Sequence, residues 1–302
     1  MPAICLECVL RITRRFQFFL IILYELLMKL TLLTVHHKKD NSLDIFSQFF
    51  NPIQVGSAGT NDLGILKDSY GDNISNKNKF YSELTAHYYL YKNIDSEYYG
   101  LMHYRRIFCE KPSSFFLIRK NIRFFRRIIF SFFLKKNIAL DKNVSPVIPL
   151  KKLPKVAKSA KSHIVGLIDQ GYELIVPKPL VFHATNVYQN YSLHHSKLHL
   201  DLFCRIIEEK YPCLSNPIKE VNNSYEIIAY NMFVMKKEIF VEYSSMLFDV
   251  LFELEKRLNL DELTPYQQRI FGFLSERFFN YFFIWKRDSL KYCYAYVCFI
   301  NE

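Results

Sequence analysis

The chain has 302 residues, half of them apolar and 17% aromatic, with only 8 Gly, which suffices for a sizeable core and excludes both wholesale disorder and a turn-rich repetitive β architecture. The formal net charge of +11 is local: residues 111–161 carry 14 Lys or Arg and one acid, and the rest of the chain sums to −2. A uniformly basic surface is therefore excluded, and the partner that the net charge implies is to be sought at that one segment.

Residues 1–27 read as an extension. Arg11 to Arg15 is basic and Phe16 to Leu27 mostly apolar, but Glu25 and Lys29 interrupt the run before about 20 residues are reached. An upstream extension ahead of a domain that starts at Met28 and a membrane-contacting helix both fit. Seven scattered cysteines argue against a disulfide framework and for a reducing compartment. The lone C-x-x-C of Cys5 and Cys8 has no second pair to complete a metal site.

Leu30 to Val35 predicts a buried strand whose carboxyl end carries His36, His37 and Lys38, the position at which open α/β sheets bind ligands. Pro52 to Val55 predicts a second strand and Gly56 to Gly71 a loop. A helix is expected from Asn78, as its cap, with Phe80, Leu84, Tyr88 and Tyr91 at helical spacing. Glu83 and His87 lie one turn apart on another face of it, as a site pair or as a capping pair.

Tyr98 to Met102 predicts a short strand running into His103-Tyr104-Arg105-Arg106, the densest polar cluster in the chain. If the backbone stays extended there, His103 and Arg105 share one face and Tyr104 and Arg106 the other. A merely solvated strand end is the plainer alternative.

Between Phe115 and Phe133 aromatic and aliphatic residues recur at intervals of three and four while Arg119, Lys120, Arg123, Arg126 and Arg127 fill the opposite face. Such a basic amphipathic helix suits an anionic membrane surface; docking on the protein's own core and binding of nucleic acid are the alternatives. Lys151 to Lys161 reads as a flexible basic tail. Beyond it come a strand at Tyr172–Val176, a helix over Leu200–Glu209, a strand from Tyr230 bearing Asn231, and amphipathic helices over Ile239–Leu258 and Gln267–Phe282. His195 and His199 stand one helical turn apart, a two-ligand metal pair at most; solvated helix histidines are the alternative.

Taken together, GDNIS-x-KN-x-x-x-x-ELT, YYGLMHYRRIF, YELIVPK, NMFVMKKEIF and QRIFGFLSER resemble the bacterial family called domain of unknown function 4422, over about Met28 to Phe282. That family occurs among glycosyltransferases of capsule, exopolysaccharide and O-antigen synthesis, some of them galactofuranosyltransferases. The long basic stretch after HYRR and the 1–27 extension depart from its pattern. The resemblance implies an α/β GT-A-like nucleotide-sugar fold with a central mixed sheet and C-terminal helices over residues 28–302, the segment 113–161 being a basic insertion. It implies a donor site of His37, Lys38, Asp72, Asn73, Asn78, Thr85, His103, Tyr104, Arg105 and Arg106, and an acceptor site of Asn231, Arg269 and Arg277.

Breaking a glycosyl–diphosphate bond requires positive charge at the leaving group, and the strand that carries HYRR lacks the Asp-x-Asp by which many such enzymes hold a metal. Arg105 or Arg106, with Lys38, is therefore expected to take the diphosphate, and a divalent cation, Mn or Mg, stays open. The base for the acceptor hydroxyl is expected to be Glu276, with Glu83 second; Glu276 as a structural partner of Arg269 is the alternative. The implied partners are a nucleotide-sugar donor (a UDP-sugar), a polysaccharide or lipid-linked acceptor and the anionic cytoplasmic face of the inner membrane, with no nucleic acid. A non-catalytic membrane or nucleic-acid-binding protein is the reading from a different class.

Overall fold

The computed structural model describes residues 29–111 and 145–301. The Cys5–Cys8 pair, the 1–27 extension and the helix expected over Phe115–Phe133 lie outside the described residues. Within them the protein is a mixed α/β fold around a nine-stranded mixed sheet.

Four strands form one parallel run, β1 (Leu30–His36), β2 (Asn51–Gln54), β3 (Leu66–Lys67) and β4 (Tyr98–His103). Their order is β3-β2-β1-β4, with Leu33 opposite Leu101 and Val35 opposite His103. Because β1 and β4 are parallel and in register, their carboxyl ends emerge together, and His36 and His103 finish side by side. Both strands are near-continuous apolar runs, as strands covered on both faces must be. Gly100 sits where β4 crosses Leu32; a Cβ there would overlap the end of the leucine side chain, which would have to shift.

On its other edge β4 is shared between two partners. Tyr98–Leu101 pair antiparallel with β10 (Phe233–Lys236), while His103 pairs with Arg106 at the start of β5 (Arg106–Cys109). Strand β7 (Leu174–Pro177) joins β10 to β11 (Tyr292–Asn301), and β11 runs on to pair with β5 and then with β6 (Val147–Pro149). Pairing β4-β10-β7-β11-β5-β4 thus closes on itself, and the split opens at the carboxyl end of β4. Cys109 of β5 and Cys298 of β11 are joined as a disulfide, with Cα atoms 6.0 Å apart. Among the described residues Cys204, Cys213 and Cys293 are unbridged, so this is a lone bridge and not the framework of several that the scattered cysteines argue against.

Helices cover both faces. On one side α1 (Leu43–Phe46) and α4 (Leu153–Asp169) bury Phe46, Leu153, Ala157, Ala160 and Ile164. Residues 151–161, expected to be a flexible tail, therefore mostly begin α4: Leu153, Ala157, Ala160 and Ile164 recur at three and four and pack against the sheet, while Lys151, Lys152, Lys155 and Lys158 stay exposed. The opposite face carries α2 (Asn78–Tyr81), α3 (Leu84–Asn93), α5 (Val187–His194), α6 (Lys197–Lys210), α7 (Ser215–Asn223), α8 (Lys237–Arg257) and α9 (Ile270–Lys286). Phe203, Phe240, Phe271, Phe278 and Phe282 are fully buried there, each contributing roughly 1.5–3 kcal/mol of transfer free energy. A two-stranded ribbon of β8 (Leu180–Val181) and β9 (Glu226–Ile227) overhangs the carboxyl edge of the sheet. Among the described residues no helix is long and apolar enough to cross a membrane.

His87 is buried in this second core. Its Nε2 lies 2.8 Å from Ser244 Oγ and its ring lies among Phe233, Phe240, Tyr243 and Phe248. Burial pushes its pKa down to about 3, so the ring is a neutral core residue and does not pair with Glu83.

Candidate active site

A cleft of about 860 Å³ opens over the carboxyl ends of β1 and β4, beneath the β8–β9 ribbon. Its polar wall begins with β1. His36 is buried in the core behind the wall, against Phe46 and Tyr104, and desolvation lowers its pKa to about 4. The next two residues, His37 and Lys38, enter the cleft. The His37 ring stands 5.1 Å from that of Tyr104. Burial, then Lys38, Arg105 and Arg269, hold its pKa below the usual value, so His37 is neutral among cations.

The chain does not stay extended through the HYRR cluster. His103 and Arg106 face each other across a two-residue hairpin turn made by Tyr104 and Arg105, so the expected division of the two arginines between opposite faces does not occur, and all four residues line the cleft. The Arg105 N–H donates to His103 Nδ1 at 3.3 Å, and the Arg105 guanidinium sits 4.9 Å from the Tyr104 ring centre. Arg106 lies over Tyr230 and Phe299 at 4.8 and 5.5 Å, and its Nε is buried with no hydrogen-bond partner among the described residues. Burial, with Arg106 next, drives the His103 pKa down to about 3. The positive charge here belongs to guanidinium groups, which match phosphate oxygens in geometry.

The facing wall comes from the α2–α3 break and from α9. Asn78 does not cap the helix as expected. Its side chain donates instead to the Ser82 carbonyl at 2.7 Å and to Thr85 Oγ1 at 3.2 Å, bracing Ser82 at φ +51° and splitting the expected single helix in two. Glu83 projects from that break into the cleft. On α9 and the turn before it, Arg269, Gly272, Phe273, Glu276 and Arg277 recur at three and four, so one helix face supplies all five to the cleft.

Between these walls the backbone turns left-handed at two consecutive non-glycine residues, Tyr230 (φ +83°) and Asn231 (φ +49°), where an ordinary strand was expected. For tyrosine this conformation costs of order 1–3 kcal/mol. The pair holds both candidate bases. The Tyr230 N–H donates to Glu276 Oε1 at 2.9 Å, and Asn231 Nδ2 donates to Glu83 Oε1 at 2.7 Å and to the Gly272 carbonyl at 3.0 Å. Ser275 Oγ in turn donates to Asn231 Oδ1. Glu276 Oε2 also meets Arg277 Nη1 at 3.2 Å. Despite these contacts desolvation raises the pKa of Glu276, and the nearby charge of Glu83 adds to the rise. The partner of Glu276 is thus Arg277, whereas Arg269 sits over Phe273 at 5.7 Å and donates to Ser82 Oγ at 3.4 Å.

The structure gathers His37, Lys38, Asn78, Glu83, His103, Tyr104, Arg105, Arg106, Arg269, Glu276 and Arg277 into one cleft, with Asn231 directly behind Glu83. Arg269 stands close enough to His37 to depress its pKa, so it joins the cationic wall expected for the donor. Asp72, Asn73 and Thr85 do not line the cleft. Asp72 ties the turn after Gly71 to Asn93 and Tyr88, Asn73 donates to the Ser69 and Gly71 carbonyls, and Thr85 is buried beside Ser82. Sequence reasoning missed Lys79, Phe182, Asn190 and Tyr230, which also line it; an isolated Tyr or Phe in an aromatic-rich chain carries no signal of its own. His195 and His199 are not on one helix: His195 caps the end of α5 and packs on Phe273, while His199 begins α6. Among the described residues no group of three or more His, Cys, Asp or Glu gathers as a set of metal ligands.

A family model described as "Domain of unknown function (DUF4422)" matches residues 31–287. Among solved structures, the apo structure of the WbbM bifunctional glycosyltransferase is similar at a TM-score of 0.73 and 28% identity, covering 91% of this chain and 46% of that one. The chain therefore spans about half the length of that protein. No curated protein matches it in sequence.

Proposed function

This chain belongs to the family described as domain of unknown function 4422, and from that premise we propose that it is a glycosyltransferase, moving a hexosyl unit from a nucleoside-diphosphate donor to a growing cell-surface glycan. The likeness to a bifunctional glycosyltransferase at 28% identity supports the reaction class. The observation that carries the proposal is the division of one cleft into a cationic wall of Lys38, Arg105, Arg106 and Arg269 and a carboxylate pair, Glu83 and Glu276, held by Tyr230 and Asn231.

In this reading the arginines bind the diphosphate and stabilise it as it departs, guanidinium groups already fixed in place needing no reorganisation as the charge develops. A carboxylate whose pKa is raised toward the working pH is suited to accept the acceptor's hydroxyl proton, which favours Glu276. Glu83, bound by Asn231, supplies a second negative group that stabilises positive charge on the donor sugar ring. Neutral His37 and His103 hydrogen-bond without competing for the phosphates.

The donor is proposed to be a UDP-sugar, UDP-galactofuranose among the candidates, and the acceptor a polysaccharide or lipid-linked glycan. The exposed lysines at the start of α4 and the basic composition of 111–144 support a position on the anionic cytoplasmic face of the inner membrane, each near-surface cation adding about 1 kcal/mol. The fold is proposed to be of the GT-A type, with diphosphate charge met by arginine and no obligatory metal.

A panel of nucleotide sugars tested for thermal stabilisation decides the reading, because stabilisation grows as the logarithm of ligand concentration over Kd. At least one diphosphate sugar is expected to raise the melting temperature, with chelator present. Indifference to all of them would refute it.

A further inference from the structure

Apart from its cations and carboxylates, the cleft has a third surface that the reaction as proposed does not use. His195, Tyr266 and Phe273 form a closed triangle of rings. His195 lies 4.2 Å from Phe273 and 5.5 Å from Tyr266, and Tyr266 lies 5.5 Å from Phe273. The His195 and Tyr266 planes are within 9° of each other. His195 and Phe273 line the cleft, and Tyr266 stands at its rim with 56% of its surface exposed.

We propose that this aromatic triangle is a carbohydrate-stacking subsite that receives a sugar ring of the acceptor glycan beside Glu83. The inference rests on the glycosyltransferase reading and assigns the acceptor end of that same cleft. One face of a pyranose or furanose ring presents C–H bonds that pack against aromatic rings, while its edge presents hydroxyls that need polar partners. The triangle offers both. Phe273 precedes Glu276 by one turn of α9, and Gly272 is so close to Glu83 that a Cβ there would sit 3.8 Å from Glu83 Oε1. Arg269, over the Phe273 ring, and Asn190 border the same surface.

Arg269 also marks the boundary of the two halves. It touches the aromatic triangle on one side and is felt by His37 on the other, so a ring on the triangle lies next to the cationic wall without occupying it. Burial and the charge of Arg277 hold the His195 pKa near 4, which keeps its ring uncharged at neutral pH and fit for stacking.

Saturation-transfer NMR with methyl glycosides of galactose, glucose, mannose and N-acetylglucosamine at millimolar concentration tests the assignment on the full chain. At least one glycoside is expected to receive saturation on the protons of one ring face. Affinity should fall about tenfold in Tyr266→Ala and recover in Tyr266→Phe, which restores the ring without the hydroxyl. Tyr266→Phe should melt with the parent, while Tyr266→Ala gives up its ring contacts to His195 and Phe273 and should melt only a few degrees lower, in one cooperative transition that serves as the folding control. Saturation of no glycoside overturns the inference, as does equal binding by Tyr266→Ala. Thermal stabilisation of the parent protein by nucleotide sugars reads the donor end separately. Stabilisation without glycoside binding removes the subsite and leaves the glycosyltransferase reading standing. Ring-dependent glycoside binding without stabilisation does the reverse.

Discussion

Asn231, itself in a left-handed conformation, donates a hydrogen bond to Glu83 Oε1 at 2.7 Å across a sequence separation of 148 residues. That contact joins the turn before β10 to the break between α2 and α3, and with it one of the two cleft carboxylates to the sheet.

Replacing Asn231 should therefore be felt in both stability and activity. Asn231→Ala removes the bonds to Glu83 and the Gly272 carbonyl and puts a Cβ-bearing, non-polar residue at φ +49°, a loss of about 1–3 kcal/mol from the unsatisfied groups with roughly 1 kcal/mol more from the backbone. Asn231→Gly should lose the first part only. Urea unfolding of the two variants separates the terms; equal midpoints would show that the backbone conformation is not strained.

Glu276→Gln keeps the size of the side chain and an acceptor for the Tyr230 N–H but cannot take a proton. Turnover should fall about 10²- to 10⁴-fold, while thermal stabilisation by the donor persists. Because burial raises the pKa of Glu276, the acidic limb of the parent's pH–rate profile should lie above the ordinary carboxylate value, activity rising as the carboxylate ionises. A profile flat from pH 4 to 7 would remove Glu276 from the role of base.

For Arg106 the charge and the planar shape both matter. Arg106→Ala should weaken binding of the nucleotide-sugar donor roughly 10- to 100-fold, the worth of one charge-assisted hydrogen bond. Arg106→Lys should recover little of it, because an ammonium neither forks onto phosphate nor stacks as a plane over Tyr230 and Phe299. Calorimetric titration reads the difference, and full recovery by lysine would reduce Arg106 to a point charge.

The buried histidines make the protein acid-sensitive. The His87 pKa lies near 3 in the folded state against an ordinary histidine value of 6.5, so above about pH 6.5 it contributes nothing to pH dependence. Below that the unfolded chain takes up the proton first, and stability falls by about 1.4 kcal/mol per pH unit until the folded value is reached. His87→Phe, which keeps a ring among Phe240, Tyr243 and Phe248, should flatten the stability–pH slope between pH 6 and 4.5 by that amount. An unchanged slope would place the titration elsewhere.

Much of the framework was legible in the sequence because it rests on local pattern. The apolar runs of β1 and β4 and the periodicity of α8 and α9 declare themselves, and the motif blocks point to most of the residues now found in the cleft. What escaped depends on geometry that period cannot express. A hairpin at Tyr104–Arg105 undid the even alternation of the two arginines. Ser82 broke a helix whose apolar spacing runs through the break. The left-handed turn at Tyr230–Asn231 has no glycine to announce it, and Asp72 and Asn73 resemble ligand residues because turn-forming and ligand-binding side chains are the same types. Residues 151–161 misled by charge: the lysines hide an apolar face of Leu153, Ala157 and Ala160 that needs the sheet to fold against.

The matched stretch of the family ends at residue 287, whereas β11 begins at Tyr292. That last strand is wedged between β7 and β5, also pairs with β6, and brings Phe299 beneath Arg106. A chain cut at the edge of the matched stretch would thus lose an inner strand of its sheet, not a dispensable tail, and β5 would keep only its single pairing to β4. Boundaries for expression or fusion should be drawn beyond residue 301, and a tag added there adjoins the strand end that pairs with β6.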